Sequence, residues 1–286
     1  MRERLILGPF LIAGLVGIFW LDAWSGSLGL PPGVVLLAVG LIVCVAIARE
    51  MSAMGFAKNG RSTPIIAMLA AAMGISSMWL SGLDHALAQG WSAMVVPTAA
   101  ITVLFVALWQ QSRHRSCDGA LATAGSTLLI FAYPGLAMGC FLAIRHEHSA
   151  WILLWIFITT KSSDIGAYFT GKSIGKHKLI PWLSPGKTWE GLFGGIALAA
   201  AIGGLGAWLL GASLDEQTPP PWLGAVLGAI IALLGQLGDL AASMFKRDAG
   251  VKDSGARIPG FGGLLDLADS TLIVGVAAYW TLLLSH

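Results

Sequence analysis

Residues 30–48 read LPPGVVLLAVGLIVCVAIA, a run of nineteen residues that contains no charged side chain. An α-helix rises about 1.5 Å per residue, so a run of this length is about as long as the hydrocarbon core of a bilayer is thick, roughly 30 Å. The stretch therefore predicts a transmembrane helix.

Similar apolar runs recur along the whole chain of 286 residues. The sequence is 56% hydrophobic and 11% charged, whereas an ordinary soluble domain has about 25% charged residues. This composition excludes a water-soluble fold and favours an all-α polytopic membrane protein. The nine predicted transmembrane helices lie near 5–23, 30–48, 63–82, 91–110, 120–144, 150–169, 190–212, 221–245 and 263–284.

Lys and Arg residues are divided unevenly between alternate loops. With nine spans, all of the 17 Lys and Arg residues except Arg145 fall on one side. Since cytoplasmic loops carry an excess of these residues, we expect a cytoplasmic N-terminus and, because the span number is odd, a C-terminus on the opposite side. The run from Leu5 to Leu21 has no evident cleavage site, so we interpret it as the first helix of a multi-pass protein of the cell inner (cytoplasmic) membrane.

The two longest basic loops, 170–189 and 246–262, both belong to the C-terminal half. We therefore predict N-terminal transmembrane scaffold helices over 1–150. The catalytic transmembrane region, with its two basic cytoplasmic loops, is predicted over 151–286.

Pairs of glycines four residues apart occur in the seventh and eighth predicted spans, as Gly191/Gly195 and Gly224/Gly228. Small residues at this spacing are typical of helices that pack closely in membranes. We assign these glycines to helix packing and give them no catalytic role.

Four aspartates lie where a membrane helix should be apolar. Each costs about 2.5–3.5 kcal/mol at a helix centre, so a compensating cation is expected. Asp266 and Asp269 are three residues apart on one helix face, and a divalent cation such as Mg²⁺ would relieve the repulsion between their carboxylates. The alternative is plain salt bridges to nearby Lys and Arg residues. The aspartates are Asp164, Asp239, Asp266 and Asp269, and the alternative partners are Lys246, Arg247, Lys252 and Arg257.

Glycines and cations are interleaved in the stretch KRDAGVKDSGARIPGFGG, residues 246–263, and the segment 162–191 has a similar character. Backbone N–H groups near glycines, with Lys and Arg beside them, suit phosphate oxygens. The triplet Gly186-Lys187-Thr188 is not a Walker A motif, because Pro181 stands where that motif requires glycine. His177, in a basic loop, is more typical of a solvated side chain than of an acid–base catalyst.

Over residues 160–272 these segments resemble the phosphatidate cytidylyltransferase family, also called CDP-diacylglycerol synthases. Three positions depart from the family pattern: Phe261 replaces a histidine, Leu267 replaces an arginine, and Ala242 stands where members often carry glutamate. The N-terminal half agrees in hydropathy alone. The matching signature positions are Ser243, Lys246, Arg247, Lys252, Asp253, Pro259, Gly260, Gly262, Gly263, Asp266 and Asp269, preceded by Asp164 to Tyr168, Ser184 to Gly191, and Gly238-Asp239.

The resemblance implies transfer of a cytidylyl group from CTP to phosphatidic acid, which gives CDP-diacylglycerol and pyrophosphate in phospholipid biosynthesis. It also implies Mg²⁺, with a second cation such as K⁺. The implied catalytic residues are Asp239, Asp266, Asp269, Lys246 and Arg247, of which the three aspartates bind metal. The implied substrate-binding residues are Asp164, Ser184, Lys187, Thr188, Ser243, Lys252, Asp253 and Ser254.

The expected partners are CTP, phosphatidic acid and membrane lipids, with a homodimer by analogy to the family. The net charge of +2 is too small to favour a nucleic-acid partner. One alternative is a cytidylyltransferase or kinase that acts on another lipid, such as an ether lipid or a polyprenyl phosphate. Another is an ion-coupled transporter, in which intramembrane acids form an ion relay. The acids lie beside basic, Gly-rich loops, which argues against the transporter.

Overall fold

The computed structural model describes residues 2–56, 63–83, 92–113, 115–214, 219–255 and 262–283. Within these ranges the chain is almost entirely helical. The α-helices are α1 (Arg2–Ser27), α2 (Val34–Met51), α3 (Pro64–Ser81), α4 (Ser92–Ser112), α5 (Ala120–Ile130), α6 (Ala137–Glu147), α7 (Ala150–Ile174), α8 (Trp189–Leu214), α9 (Pro221–Asp248) and α10 (Leu264–Leu283).

Seven stretches in the described part of the chain are long and apolar enough to cross a membrane. They confirm the prediction of an all-α, multi-pass membrane protein. Helices α1 and α7 are outside this group, and α7 carries the polar run from Lys161 to Asp164. The count of nine spans stays a prediction. The seven are Val34–Met54, Pro64–Ser81, Ala93–Ser112, Ala120–Glu147, Trp189–Ala212, Pro221–Asp248 and Leu264–Leu283.

Helices α5 and α6 form one continuous rod through a π-helical segment, Phe131–Leu136. Pro134 lies in this segment, and a proline cannot donate the backbone hydrogen bond of a regular α-helix. The Pro134 carbonyl oxygen accepts a hydrogen bond from Sγ of Cys44 in α2 at 3.2 Å. A Cβ atom on Gly74 of α3 would lie 2.5 Å from the carbonyl oxygen of Phe131, so the irregular segment also packs closely against α3.

The chain forms two compact units. The first contains residues 1–147 and 248–267, and the second contains residues 148–247 and 268–286. The described residues between α9 and α10, 249–255 and 262–263, therefore belong to the same unit as the N-terminal helices. The functional division predicted at residues 150 and 151 stays a prediction.

Glycines bring the helices of the second unit close together. A Cβ atom on Gly195 of α8 would lie 2.8 Å from the carbonyl oxygen of Ser163 in α7. A Cβ atom on Gly224 of α9 would lie 2.6 Å from Cβ of Ala207 in α8. Such contacts are far tighter than side-chain packing allows, so the prediction that these glycine pairs serve close helix packing is confirmed.

The predicted basic loop 170–189 is largely structured. Helix α7 continues to Ile174, five residues beyond the predicted end at 169. Strands β1 (Lys178–Ile180) and β2 (Ser184–Thr188) then form an antiparallel hairpin, in which Lys178 faces Thr188 and Ile180 faces Ser184. The hairpin is a small addition to the all-α architecture, and it fixes the position of Lys187.

Candidate active site

Helix α9 ends in polar residues that share one helical face. The spacing of Asp239, Ser243, Lys246 and Arg247 is i, i+4, i+7 and i+8, which places their side chains on the same side of the helix. Lys246 is buried, Asp239 and Ser243 are half-buried, and Arg247 is exposed. Because α9 extends to Asp248, Lys246 and Arg247 are held by a regular helix and not by the predicted loop.

Strand β2 brings a lysine to Asp239. Nζ of Lys187 lies 2.6 Å from Oδ2 of Asp239, and the two side chains are 16% and 37% exposed. A close ion pair with one shielded partner interacts more strongly than a pair whose side chains are both fully solvated. Two predicted site residues that come from separate sequence motifs are therefore in direct contact.

Asp269 of α10 is the most buried of the four predicted aspartates, with 7% of its surface exposed. Asp239 acts on it as a like charge, and Lys161 and Lys246 act on it as opposite charges. A Cβ atom on Gly238 would lie 2.5 Å from the carbonyl oxygen of Asp269. The absence of a side chain at Gly238 thus lets α9 approach α10 at the level of these charges.

Asp164 takes part in a triangle of polar contacts between α7 and α10. Its Oδ2 atom lies 3.2 Å from Nζ of Lys161 and accepts a hydrogen bond from Oγ of Ser270 at 3.1 Å. Nζ of Lys161 donates in turn to Oγ of Ser270 at 3.0 Å. Sequence reasoning assigned no site role to Lys161 or Ser270. The i, i+3 spacing of Lys161 and Asp164 within a span was a usable signal for the first, since it pairs a cation with an intramembrane acid.

Asp266 is the third residue of α10 and belongs to the first unit. Its Oδ2 atom accepts hydrogen bonds from the backbone N–H of Ser254 at 2.8 Å, from the Ser254 hydroxyl at 2.9 Å and from the N–H of Gly263 at 2.9 Å. The bond from Gly263 satisfies an N–H group at the start of the helix, as the acidic member of a capping box does. The Asp266 carboxylate is therefore held in a fixed orientation.

Glu50, in the last turn of α2, was missed by sequence reasoning. The side chain is buried, and its carboxylate accepts hydrogen bonds from the N–H groups of Leu264 and Leu265, each at 3.0 Å. The Ser254 hydroxyl lies 3.0 Å from Oε2 of Glu50 and shares its one proton between Glu50 and Asp266. Glu50 follows Arg49 at the end of an apolar run. Two adjacent charged residues are common at the end of a transmembrane helix, so they do not stand out in the sequence. The sequence carried no signal that would single it out.

The remaining predicted substrate-binding residues lie in different elements and differ in their exposure to water. Thr188 is buried, and its Oγ1 accepts the N–H of Gly191 at 3.1 Å, which is a cap at the start of α8. Ser184 begins β2, and Lys252 and Asp253 are exposed between α9 and α10. Within the second unit, no described side-chain hydrogen bond or ion pair joins Ser184 to Lys187 or Asp239.

Two of the predicted aspartates form salt bridges with lysines outside the four cations considered in the sequence. Asp239 pairs with Lys187, and Asp164 pairs with Lys161.

Exposed His177 lies with its Nδ1 atom 2.6 Å from Oε1 of Glu190. The His177 side chain is 78% exposed, which is typical of a solvated side chain.

The chemistry of Asp239 and Asp269 fits a hard cation. Both offer carboxylate oxygens, they repel each other, and Asp269 is removed from water; Mg²⁺ prefers such oxygen donors. In the described ranges, no three His, Cys, Asp or Glu side chains converge closely enough to hold one ion. The site of three aspartates, Asp239, Asp266 and Asp269, therefore stays a prediction.

The positions that depart from the family pattern differ in their surroundings. Ala242 is fully buried in α9, and Leu267 is half-buried in α10. Phe261, together with Pro259, Gly260 and Arg257, lies outside the described residues. The predicted role of the histidine position therefore stays open to experiment.

These observations define a multi-pass α-helical membrane protein whose C-terminal helices carry carboxylates beside lysines, and of these carboxylates Asp269 is buried. Residues 2–285 match the sequence model of the Cytidylyltransferase family. The chain belongs to this family, as the resemblance predicted.

Curated relatives extend over most of the chain. A protein of Mycobacterium bovis named phosphatidate cytidylyltransferase is 33% identical over 279 residues, which cover 90% of this chain and 86% of that protein. Proteins of the same name from Staphylococcus epidermidis and Haemophilus influenzae are 40% identical over 151 residues and 41% identical over 124 residues. These two alignments cover 53% and 43% of this chain and 56% and 42% of those proteins.

Proposed function

We propose that the protein transfers a cytidylyl group from CTP to phosphatidic acid and forms CDP-diacylglycerol and pyrophosphate for phospholipid biosynthesis. The observation that carries this proposal is the similarity, over 90% of the chain, to a protein named phosphatidate cytidylyltransferase. The contact between Lys187 and Asp239 supports it, because transfer to or from a nucleotide phosphate requires cations and carboxylates in one place.

The reaction is a displacement at phosphorus. An ionised phosphate oxygen of phosphatidic acid attacks the α-phosphorus of CTP and forms a new P–O bond. The bond between the α-phosphorus and the oxygen that bridges to the β-phosphate breaks, and pyrophosphate leaves with that electron pair. A phosphomonoester has a second pKa of about 6, so the attacking oxygen is already ionised near neutral pH and needs no strong general base.

Three aspartates are proposed to hold Mg²⁺, with a second cation such as K⁺ in the same site. When bound, the metal ion neutralises phosphate charge and orients the CTP oxygens. The buried position of Asp269 and its repulsion by Asp239 support a cation in that place. The fixed orientation of Asp266 supports the same role. The ligands are Asp239, Asp266 and Asp269.

Basic side chains are proposed to neutralise the triphosphate and the lipid phosphate, and hydroxyl groups to donate hydrogen bonds to them. Asp164 orients Lys161 toward α10, which the triangle with Ser270 supports. The basic residues are Lys187, Lys246, Arg247 and Lys252. The hydroxyl residues are Ser184, Thr188, Ser243 and Ser254, and Asp253 completes the substrate-binding set.

The protein is proposed to lie in the cell inner membrane with nine spans, a cytoplasmic N-terminus and a C-terminus on the opposite side. The one-sided distribution of Lys and Arg supports this topology. In this proposed topology, soluble CTP and the lipid phosphate would meet at the same face of the bilayer. Residues 151–286 are proposed as the catalytic region over a scaffold formed by 1–150, and a homodimer is proposed from the family resemblance.

Purified protein in detergent, supplied with CTP, Mg²⁺ and a panel of lipid phosphates, tests the substrate. Pyrophosphate release should be fastest with phosphatidic acid. Faster pyrophosphate release with a polyprenyl or ether-lipid phosphate would show that this lipid, and not phosphatidic acid, is the preferred substrate. Ion flux in liposomes without nucleotide consumption would favour a transporter and contradict the proposal.

A further inference from the structure

Glu50 is a buried acid that the proposed reaction does not use. It is 3% exposed and lies in the last turn of α2, far in sequence from the C-terminal motifs. In the described part of the chain, its partners are backbone N–H groups and one hydroxyl group, and not a cation. A carboxylate so far from water needs a specific compensating environment.

The compensation comes from the start of helix α10. Oε1 of Glu50 accepts the N–H of Leu264, and Oε2 accepts the N–H of Leu265, both at 3.0 Å. These are the first two residues of α10, whose N–H groups have no partner within the helix. The partial positive charge of a helix N-terminus stabilises an anion in this position. Glu50 therefore fixes the start of α10 to the end of α2.

Ser254 links Glu50 to Asp266. The Ser254 hydroxyl lies 3.0 Å from Oε2 of Glu50 and 2.9 Å from Oδ2 of Asp266. A hydroxyl group has one proton to donate, so one small group is shared by two carboxylates. There is no room for a side chain at Gly263, where a Cβ atom would overlap both the Ser254 hydroxyl and the Glu50 carboxylate. The Ser254 hydroxyl and the first turn of α10 therefore connect Glu50 to Asp266.

We propose that Glu50 is a positioning residue for Asp266: it holds the first turn of α10 and the shared Ser254 hydroxyl, and so keeps the Asp266 carboxylate in the orientation in which it would bind Mg²⁺. The metal role of Asp266 is part of the proposed function, and this inference rests on it. Groups that orient a metal ligand without binding the metal typically alter metal affinity or activity by about 10–100-fold when they are replaced.

A matched control lies in the same unit. Asp22 is also a buried carboxylate, it accepts the N–H of Leu36 in the first turn of α2 at 3.3 Å, and it pairs with Arg145 at 2.6 Å. Asp22 has no described contact with Ser254 or Asp266. Asp22→Asn therefore removes a comparable buried anion without touching the proposed metal ligand.

The experiment compares wild type, Glu50→Gln, Glu50→Asp and Asp22→Asn in detergent. The first readout, made without nucleotide, is the Mg²⁺ concentration that gives half of the maximal thermal stabilisation. The second readout is the Mg²⁺ concentration for half-maximal formation of CDP-diacylglycerol. Glu50→Gln should raise both by about tenfold, and Glu50→Asp, which keeps the charge on a shorter side chain, should raise them less. Asp22→Asn should lower the melting temperature but change neither Mg²⁺ value by more than about twofold.

The inference is overturned if Glu50→Gln has the wild-type Mg²⁺ dependence, if Asp22→Asn shifts it equally, or if Mg²⁺ does not stabilise the wild type. Where Glu50→Gln fails to fold, Glu50→Asp decides by the same comparison with Asp22→Asn. Failure of the proposed function looks different. In that case the wild type forms no CDP-diacylglycerol, while the thermal readout still separates the Glu50 variants from Asp22→Asn.

Discussion

The ammonium group of Lys187 lies 2.6 Å from the Oδ2 atom of Asp239, and this contact joins the β1–β2 hairpin to helix α9. Each group neutralises the other, and the Lys187 side chain is the more shielded from water, with 16% exposed against 37% for Asp239. Removal of Asp239 would leave a largely shielded cation without its counter-charge, which is unfavourable. The two residues are therefore expected to behave as one functional element.

Replacement of Lys187 tests this element. Lys187→Met leaves the Asp239 carboxylate without its cation and removes a charge that the phosphates require, so kcat/KM for CTP should fall about 10²-fold. Lys178→Met is the matched control, because Lys178 is exposed on the same hairpin. Its steady-state kinetics should stay close to wild type. Equal losses in both variants would mean that only the general positive charge of the hairpin matters.

Asp239→Asn and Asp266→Asn should each abolish Mg²⁺-dependent formation of CDP-lipid, because an amide is a much weaker ligand for a hard cation than a carboxylate. Membrane insertion should be unaffected. Asp248→Asn, at the exposed end of α9, should retain wild-type turnover. Turnover is measured with purified protein across a Mg²⁺ titration. Near-normal turnover of Asp266→Asn would remove that residue from the metal site.

Ser270→Ala tests the triangle between α7 and α10. The change removes a hydroxyl group that contacts both Lys161 and Asp164. Because the hydroxyl positions two charged groups of the proposed site, its loss should lower activity about tenfold. Ser162→Ala removes a buried hydroxyl that bonds only locally, to the carbonyl oxygen of Thr159, and should change activity little. If the two variants were indistinguishable, the triangle would have no role in the reaction.

Gly195→Ala tests the close packing of α7 against α8. The added Cβ atom would lie 2.8 Å from the carbonyl oxygen of Ser163, so the helices must separate, and stability should fall by about 1–3 kcal/mol. Gly125→Ala is the control, because a Cβ atom there meets nothing within 4 Å. Thermal unfolding in detergent gives the comparison. A wild-type melting temperature for Gly195→Ala would show that this contact is readily relieved.

The sequence predicted the helices well because the bilayer imposes a length and a composition on them. The run 30–48 corresponds to α2, and 263–284 to α10. The last five residues of α7, 170–174, were missed because they read TGKSI, and a polar stretch with glycine after an apolar run favours a helix end. The hairpin was missed because its strands are three and five residues long, and one contains Pro185 and Gly186.

Part of the candidate site could be selected from the sequence. Intramembrane acids are costly, so Asp164, Asp239 and Asp269 could be selected from hydropathy alone. Which cation meets each acid depends on tertiary packing, so Lys161 was missed as the partner of Asp164. Glu50 lies far from the motifs in sequence, and only the folded chain brings it to the start of α10.

Formation of CDP-diacylglycerol tests the central proposal most directly. Purified protein is incubated with CTP, phosphatidic acid and Mg²⁺, and the lipid product and pyrophosphate are quantified together. We expect equal amounts of the two products, with none from Asp239→Asn or after removal of Mg²⁺. Absence of CDP-diacylglycerol from folded wild-type protein, or formation that is unchanged in Asp239→Asn, would contradict the proposed function and its site.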